Sequence, residues 1–266
     1  MNKKKRFSQY RQYKCNAGYN PYPNIHKKQS VNYRNAMESE TVNPVFAGYW
    51  FQWNPRINIA TMPWYNIFIV AFMDIGENGI PTFKPLFMTD EQFIATVDML
   101  KCQGREALIS LGGAGYYIAL SKADKQAFIN EMIRIIDKYG FTGIDIDLED
   151  DAMTAADNQT VVPEALIELK NYYLKQGKYL MITMAPEFPY LRKPNGPYVP
   201  YVQGLEGYYD IIFPQYYNQG ADGIWSEELH MWLQNNDNEH KAAFLYELTR
   251  AIITGLFWAV GLHGRI

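Results

Sequence analysis

Residues 140–151 read GFTGIDIDLEDD, and the order of residue types in them narrows the fold more than any other stretch of the chain. Asp145, Asp147 and Glu149 alternate with Ile144, Ile146 and Leu148. Successive side chains of a strand point to opposite faces, so the three carboxylates share one face and the three aliphatics the other. The aliphatic face needs an apolar layer against it. The acidic face does not, and crowding like charges raises at least one pKa, which points to chemistry rather than folding.

Regular elements surround this strand from Val45 onward. Segments 45–53 (VFAGYWFQW), 64–74 (WYNIFIVAFMD), 106–113 (EALISLGG), 179–187 (YLMITMAPE) and 208–219 (YYDIIFPQYYNQ) are apolar and rich in β-branched or aromatic residues, and predict strands. Segment 89–104 predicts a helix. Thr89 and Gln92 form a capping box, Phe93, Val97 and Leu100 recur at helical spacing, and Gly104 stops it. Segment 121–140 predicts a second, with Phe128, Met132, Ile135 and Ile136 on one stripe and Gly140 at its end. Further helices are expected near 162–176 and at 238–255.

Strands apolar on both faces that alternate with amphipathic helices imply parallel βα units. A doubly wound open sheet and a (β/α)8 barrel both fit that alternation. The open sheet would carry a Gly-rich phosphate loop after its first strand, and GYWFQWNP offers none. The barrel also accounts for the acids, because inward residues near the carboxyl end of a barrel strand face the pocket where such folds do chemistry. The expected class is α/β, of the (β/α)8 TIM-barrel type.

Composition narrows the function. The 266 residues, 48% of them hydrophobic, suffice for one large domain. A formal charge of −3 gives no footprint for nucleic acid or an anionic membrane, and no stretch approaches the length of a membrane span. Cys15 and Cys102 are too few for a disulfide framework or a zinc site, and His26, His230, His240 and His263 are scattered. DIDLED lacks the Gly and the flanking polar residues of a calcium loop, so neither metal nor cofactor is expected. The 21 Tyr and six Trp mostly fill a core, but flat rings with polar tips also suit sugars. Residues 1–44 are basic, rich in Asn and Tyr and without aliphatic periodicity, which predicts a disordered basic tail. No apolar run follows KKKR, as a secretory signal would require.

FTGIDIDLE resembles the signature of family 18 glycoside hydrolases, Asp-x-x-Asp-x-Asp-x-Glu on the fourth barrel strand. SLGG, containing Ser110, Gly112 and Gly113, is similar to the family's Ser-x-Gly-Gly on the third strand. MAPE (Met184 to Glu187) and QYYN (Gln215 to Asn218) resemble motifs on the fifth and sixth strands of bacterial chitinases. The four occur in the family's order between residue 45 and about residue 255. The resemblance implies an endo-acting chitinase that hydrolyses β-1,4 bonds between N-acetylglucosamine units with retention. Such enzymes use the substrate's acetamido group in place of an enzymic nucleophile. Chitin or chito-oligosaccharides would be its partners and the extracellular space its setting. A chitin- or N-glycan-binding protein on the same scaffold and an endo-β-N-acetylglucosaminidase are the alternatives. The intact Glu149 favours an enzymatic ancestry, and MAPE with QYYN favours chitin.

The same resemblance assigns roles. Glu149 matches the general acid, Asp147 the residue that orients the acetamido group, and Asp145 the one that shares a proton with Asp147. Tyr217 matches a tyrosine that hydrogen-bonds the acetamido carbonyl. Tyr49, Ser110, Gly112, Gly113, Glu187 and Asn218 would bind substrate, with Met184 and Gln215 on the subsite floor. Trp225, on the segment after the sixth strand, either stacks on a sugar or packs its helix. Two departures stand out. Thr142 replaces the first acid of the signature, with an expected effect on core hydrogen bonding only. The sequence also stops about 50 residues after the sixth strand, so a barrel of six to seven βα units over 45–266, lacking its last strands, is expected.

Overall fold

The computed structural model describes residues 45–51, 65–191 and 195–215. Within them the elements are β1 (Ala47–Phe51), β2 (Ile67–Ala71), β3 (Asp74–Ile75), β4 (Pro81–Thr82), α1 (Asp90–Cys102) and β5 (Glu106–Gly112). These are followed by α2 (Lys125–Tyr139), β6 (Gly143–Asp147), α3 (Asn158–Lys175), β7 (Met181–Met184), α4 (Phe188–Leu191), α5 (Val199–Gly204) and β8 (Ile211–Ile212). Six strands form one parallel sheet in the order β1-β2-β5-β6-β7-β8. A doubly wound sheet reverses its strand order at a switch point. This one runs in chain order without reversal, as the wall of a (β/α)8-type barrel does.

The sheet buries two different faces. Outward residues such as Ile109, Ile144, Ile146 and Ile182 join Phe128, Met132 and Leu166 of the helices in the main core. Inward residues Ile67, Ile69, Leu108 and Met181 form a smaller apolar cluster, with Tyr49, Tyr179, Ile211 and Phe213 against it. The alternation in GIDIDLE therefore sorts as its pattern requires. Ile144, Ile146 and Leu148 are fully buried on the helix side, and the acids take the inner face.

Helix α1 carries the capping box in full. The Thr89 side chain accepts from the Gln92 N–H, and the Gln92 side chain accepts from the Thr89 N–H. Gly140 ends α2 in the left-handed region. Thr142 does what its position suggested: its hydroxyl accepts from the Ala107 N–H at 2.9 Å and donates to the Ala107 carbonyl at 3.2 Å, tying β6 to β5. Three features were not legible. The two-residue strands β3 and β4 are too short to show periodicity. Helix α3 starts at Asn158 rather than near 162, because Pro163, which resembles a first-turn residue, lies in its second turn. Cys102, at the end of α1, is disulfide-bonded, a link that a count of two cysteines did not suggest.

One buried ion pair fixes the last described strand. Lys170 of α3 lies 2.8 Å from Asp210, with side-chain exposures of 6% and 8%. Lys170 Nζ also donates to the Tyr208 carbonyl and the Tyr179 hydroxyl, and Asp210 accepts from Tyr179 and from the Ile182 N–H. This network joins α3, β7 and the entry to β8. The basic tail at 1–44, Tyr217, Asn218, Trp225, the helix expected at 238–255 and the closing segment lie outside the described residues.

Candidate active site

The strand register brings the motif residues together. Asp145 on β6 pairs laterally with Ser110 on β5 and Thr183 on β7. Its carboxylate is fully buried and accepts three hydroxyl hydrogen bonds: from Tyr49 at 2.8 Å, Ser110 at 2.8 Å and Thr183 at 2.6 Å. Burial pushes its pKa up, and the three donors oppose that shift by favouring the anion. Tyr49 is itself pushed well up by burial and by the charges of Asp145 and Asp147, so its phenol remains a donor.

Asp147, one step further along the same face, is 5% exposed. Burial first, then the charges of Asp145 and Glu149, a hydrogen bond with Glu149 and the charge of Glu187 push its pKa up to about 9. The carboxyl that Asp147 hydrogen-bonds is therefore Glu149. Asp145 has its oxygens engaged by three hydroxyls. Glu149 sits two residues past the end of β6, half-buried. Gln215 lies beneath the pair, with Nε2 2.8 Å from Asp147 Oδ1 and 3.1 Å from Glu149 Oε1.

The two glycines of SLGG have a steric reason. A Cβ on Gly112 (φ +118°) would lie 2.3 Å from the Asp147 carbonyl oxygen, and one on Gly113 (φ +93°) 2.5 Å from the Phe72 ring. Their lack of side chains lets β5 approach the acid-bearing strand, where the Gly113 N–H donates to the Asp147 carbonyl at 2.7 Å. Phe72 also contacts Tyr49, Phe51 and Tyr116, with ring centroids 6.0, 6.4 and 5.7 Å apart. These rings make an aromatic wall beside the acids.

Of the residues expected at the site, Tyr49, Ser110, Gly112, Gly113, Asp145, Asp147, Glu149, Glu187 and Gln215 converge there. Met184 does not join them. It pairs with Ile146, points to the helix side and is fully buried in the main core, so the strand's alternation removes it from the subsite floor. Thr183, its neighbour, takes the inward position and was overlooked because a lone threonine in an apolar strand carries no signal. Tyr198, whose hydroxyl donates to the Ile146 carbonyl at 2.7 Å behind the acid strand, was overlooked because it is one of several tyrosines in a segment rich in Pro and Tyr. Among the described residues, no group of three or more His, Cys, Asp or Glu side chains is disposed to hold a metal ion.

A protonated Asp147 leaves a thermodynamic mark. The native state keeps a proton that the unfolded chain, titrating near 3.8, gives up, so stability falls as pH rises from about 4 towards about 9. Asp147→Asn removes that titration. Its melting temperature should decline less than the parent's between about pH 5 and pH 9, measured by calorimetry. Parallel curves would contradict the assignment.

The family model for glycosyl hydrolases family 18 matches residues 45–249. A chitinase from Enterococcus faecalis is 46% identical over 225 residues, which are 79% of this chain and 64% of that protein. Chitinase D from Niallia circulans is 31% identical over 202 residues, 65% of this chain and 38% of its own length. The crystal structure of a family GH18 chitinase from Chromobacterium violaceum superposes with a TM-score of 0.58 at 30% identity, covering 67% of this chain and 51% of that one. The chain thus spans less than two thirds of the length of these relatives.

Proposed function

Because the chain belongs to the glycosyl hydrolases family 18, we propose that it hydrolyses β-1,4 bonds between N-acetylglucosamine units, as an endo-acting chitinase with retention of configuration. The observation that carries this reading is the contact of Asp147 with Glu149 on the inner face of β6, where burial and the neighbouring carboxylates push the Asp147 pKa up to about 9 and Gln215 Nε2 lies 2.8 and 3.1 Å from the two carboxyls. A substrate that brings its own nucleophile needs an acid and a charge stabiliser, and little else.

The two carboxyl groups divide these tasks in sequence. Glu149 donates its proton to the glycosidic oxygen as that bond breaks, while the acetamido oxygen of the same sugar closes on the anomeric carbon. The ring so formed is an oxazolinium ion. The proton that Glu149 gives to the leaving group comes to it from Asp147, so both carboxyls are anions once the bond has broken. Asp147 becomes an anion beside the new positive charge and accepts the acetamido N–H. Asp145, held by Tyr49, Ser110 and Thr183, adds a fixed carboxylate behind it. Water then opens the oxazolinium with Glu149 taking its proton, which restores the N-acetyl sugar with its original configuration.

A thiazoline analogue of N-acetylglucosamine reproduces the oxazolinium. It should inhibit chitotetraose cleavage competitively, because it binds where the intermediate forms. Cleavage that ignores the thiazoline would indicate a protein nucleophile and end this reading.

A further inference from the structure

Gln215 stands where the sixth strand of the sheet reaches the site, and its backbone is held from both sides. Its N–H donates to the Pro186 carbonyl at 2.8 Å, its carbonyl accepts from the Phe188 N–H at 3.1 Å, and it bridges to Glu187. With 7% of its surface exposed, the side chain has little freedom. Nε2 carries two hydrogens and has three oxygens in reach: Asp147 Oδ1 at 2.8 Å, the Ala185 carbonyl at 3.0 Å and Glu149 Oε1 at 3.1 Å. A nitrogen committed in this way has no hydrogen left for a sugar.

We propose that Gln215 is a positioning residue: its Nε2 clamps Asp147 and Glu149 into one hydrogen-bonded acid pair and leaves no N–H for the sugar. Donation to a carboxyl oxygen favours the charged form, whereas burial and neighbouring charges favour the neutral one. Asp147 faces Asp145 and Glu149 from its own segment, Glu187 from the segment after β7, Tyr49 from β1 and Tyr198 from the start of α5. Against these groups the Gln215 amide is a neutral donor that reaches both members of the pair. It holds the two carboxyls within hydrogen-bonding reach of each other.

The test replaces Gln215 with Met, of similar volume and without a donor, in the full chain. Carboxyl-carbon NMR titration of the unliganded protein, assigned with the Asp147→Asn variant, should show the apparent pKa of Asp147 rising further, by about one unit. The kinetic readout rests on the proposed chitinase reading. There kcat on chitotetraose should fall roughly 10–100-fold, the alkaline limb of the pH profile should move upward, and KM should change little. An unchanged carboxyl titration overturns the proposal. So does a rise in KM with kcat intact, which would restore Gln215 to the sugar-binding floor. Gln215→Asn, which keeps an amide on a shorter side chain, should shift the same quantities less and serves if the Met variant does not fold. The titration needs no turnover, so an inactive parent would count against the chitinase reading and leave this inference to the NMR result.

Discussion

Glu149→Gln is expected to reduce hydrolysis of chitotetraose by roughly 10²–10⁴-fold, the usual contribution of a positioned general acid. That corresponds to about 2.7–5.4 kcal/mol of transition-state stabilisation. The substitution is nearly isosteric, and Glu149 is half-buried rather than packed in the core. The Gln side-chain oxygen can still accept from Gln215 Nε2, now 3.1 Å from Glu149 Oε1. What the variant loses is the proton that the leaving oxygen needs. Binding should survive, so calorimetry with chitotetraose should give a measurable Kd while turnover is nearly absent. Turnover retained within a few-fold of the parent would remove Glu149 from its role, whatever the family pattern implies.

The second large effect lies away from the acids. Lys170→Met should lower stability by about 3–5 kcal/mol, the usual cost of breaking a buried ion pair by removing one partner. A domain of this kind has about 5–15 kcal/mol in total, so the variant should be close to unfolding. Asp210 would keep its donors from Tyr179 and the Ile182 N–H but lose its counter-charge. The consequence reaches the site through the chain itself. Asp210 leads directly into β8, and five residues later Gln215 contacts Asp147 and Glu149. Urea unfolding of Lys170→Met, Asp210→Asn and the double variant should show the two single losses far from additive, because both break the same pair. Single losses below about 0.5 kcal/mol would mean that apolar packing alone holds β8 in place.

The barrel wall was legible because its signals are local. Thr89 with Gln92, the stripe from Phe128 to Ile136 and the alternation in GIDIDLE each state their structure within one or two turns or one strand. SLGG was legible as a motif, but its steric cause was not. Nothing in the sequence says that a Cβ on Gly112 would strike the backbone after Asp147, a contact between residues 35 positions apart.

From the sequence alone came the barrel class, the inward acidic face, the aliphatic outer face and the identity of the candidate acid. Each of these follows from period, from sidedness or from a motif read in place. Only the tertiary structure decided how the acids are partnered. Lateral register set Thr183 and Ser110 on either side of Asp145, and brought Gln215 from two strands away to the Asp147–Glu149 pair. It also turned Met184 out of the pocket, because a one-residue step along a strand exchanges the two faces. Burial and the neighbouring carboxylates then raised the pKa of Asp147 beside Glu149. Hydrogen bonds and desolvation depend on which strands lie side by side, and that is set by the order and register of the whole sheet rather than by any single segment.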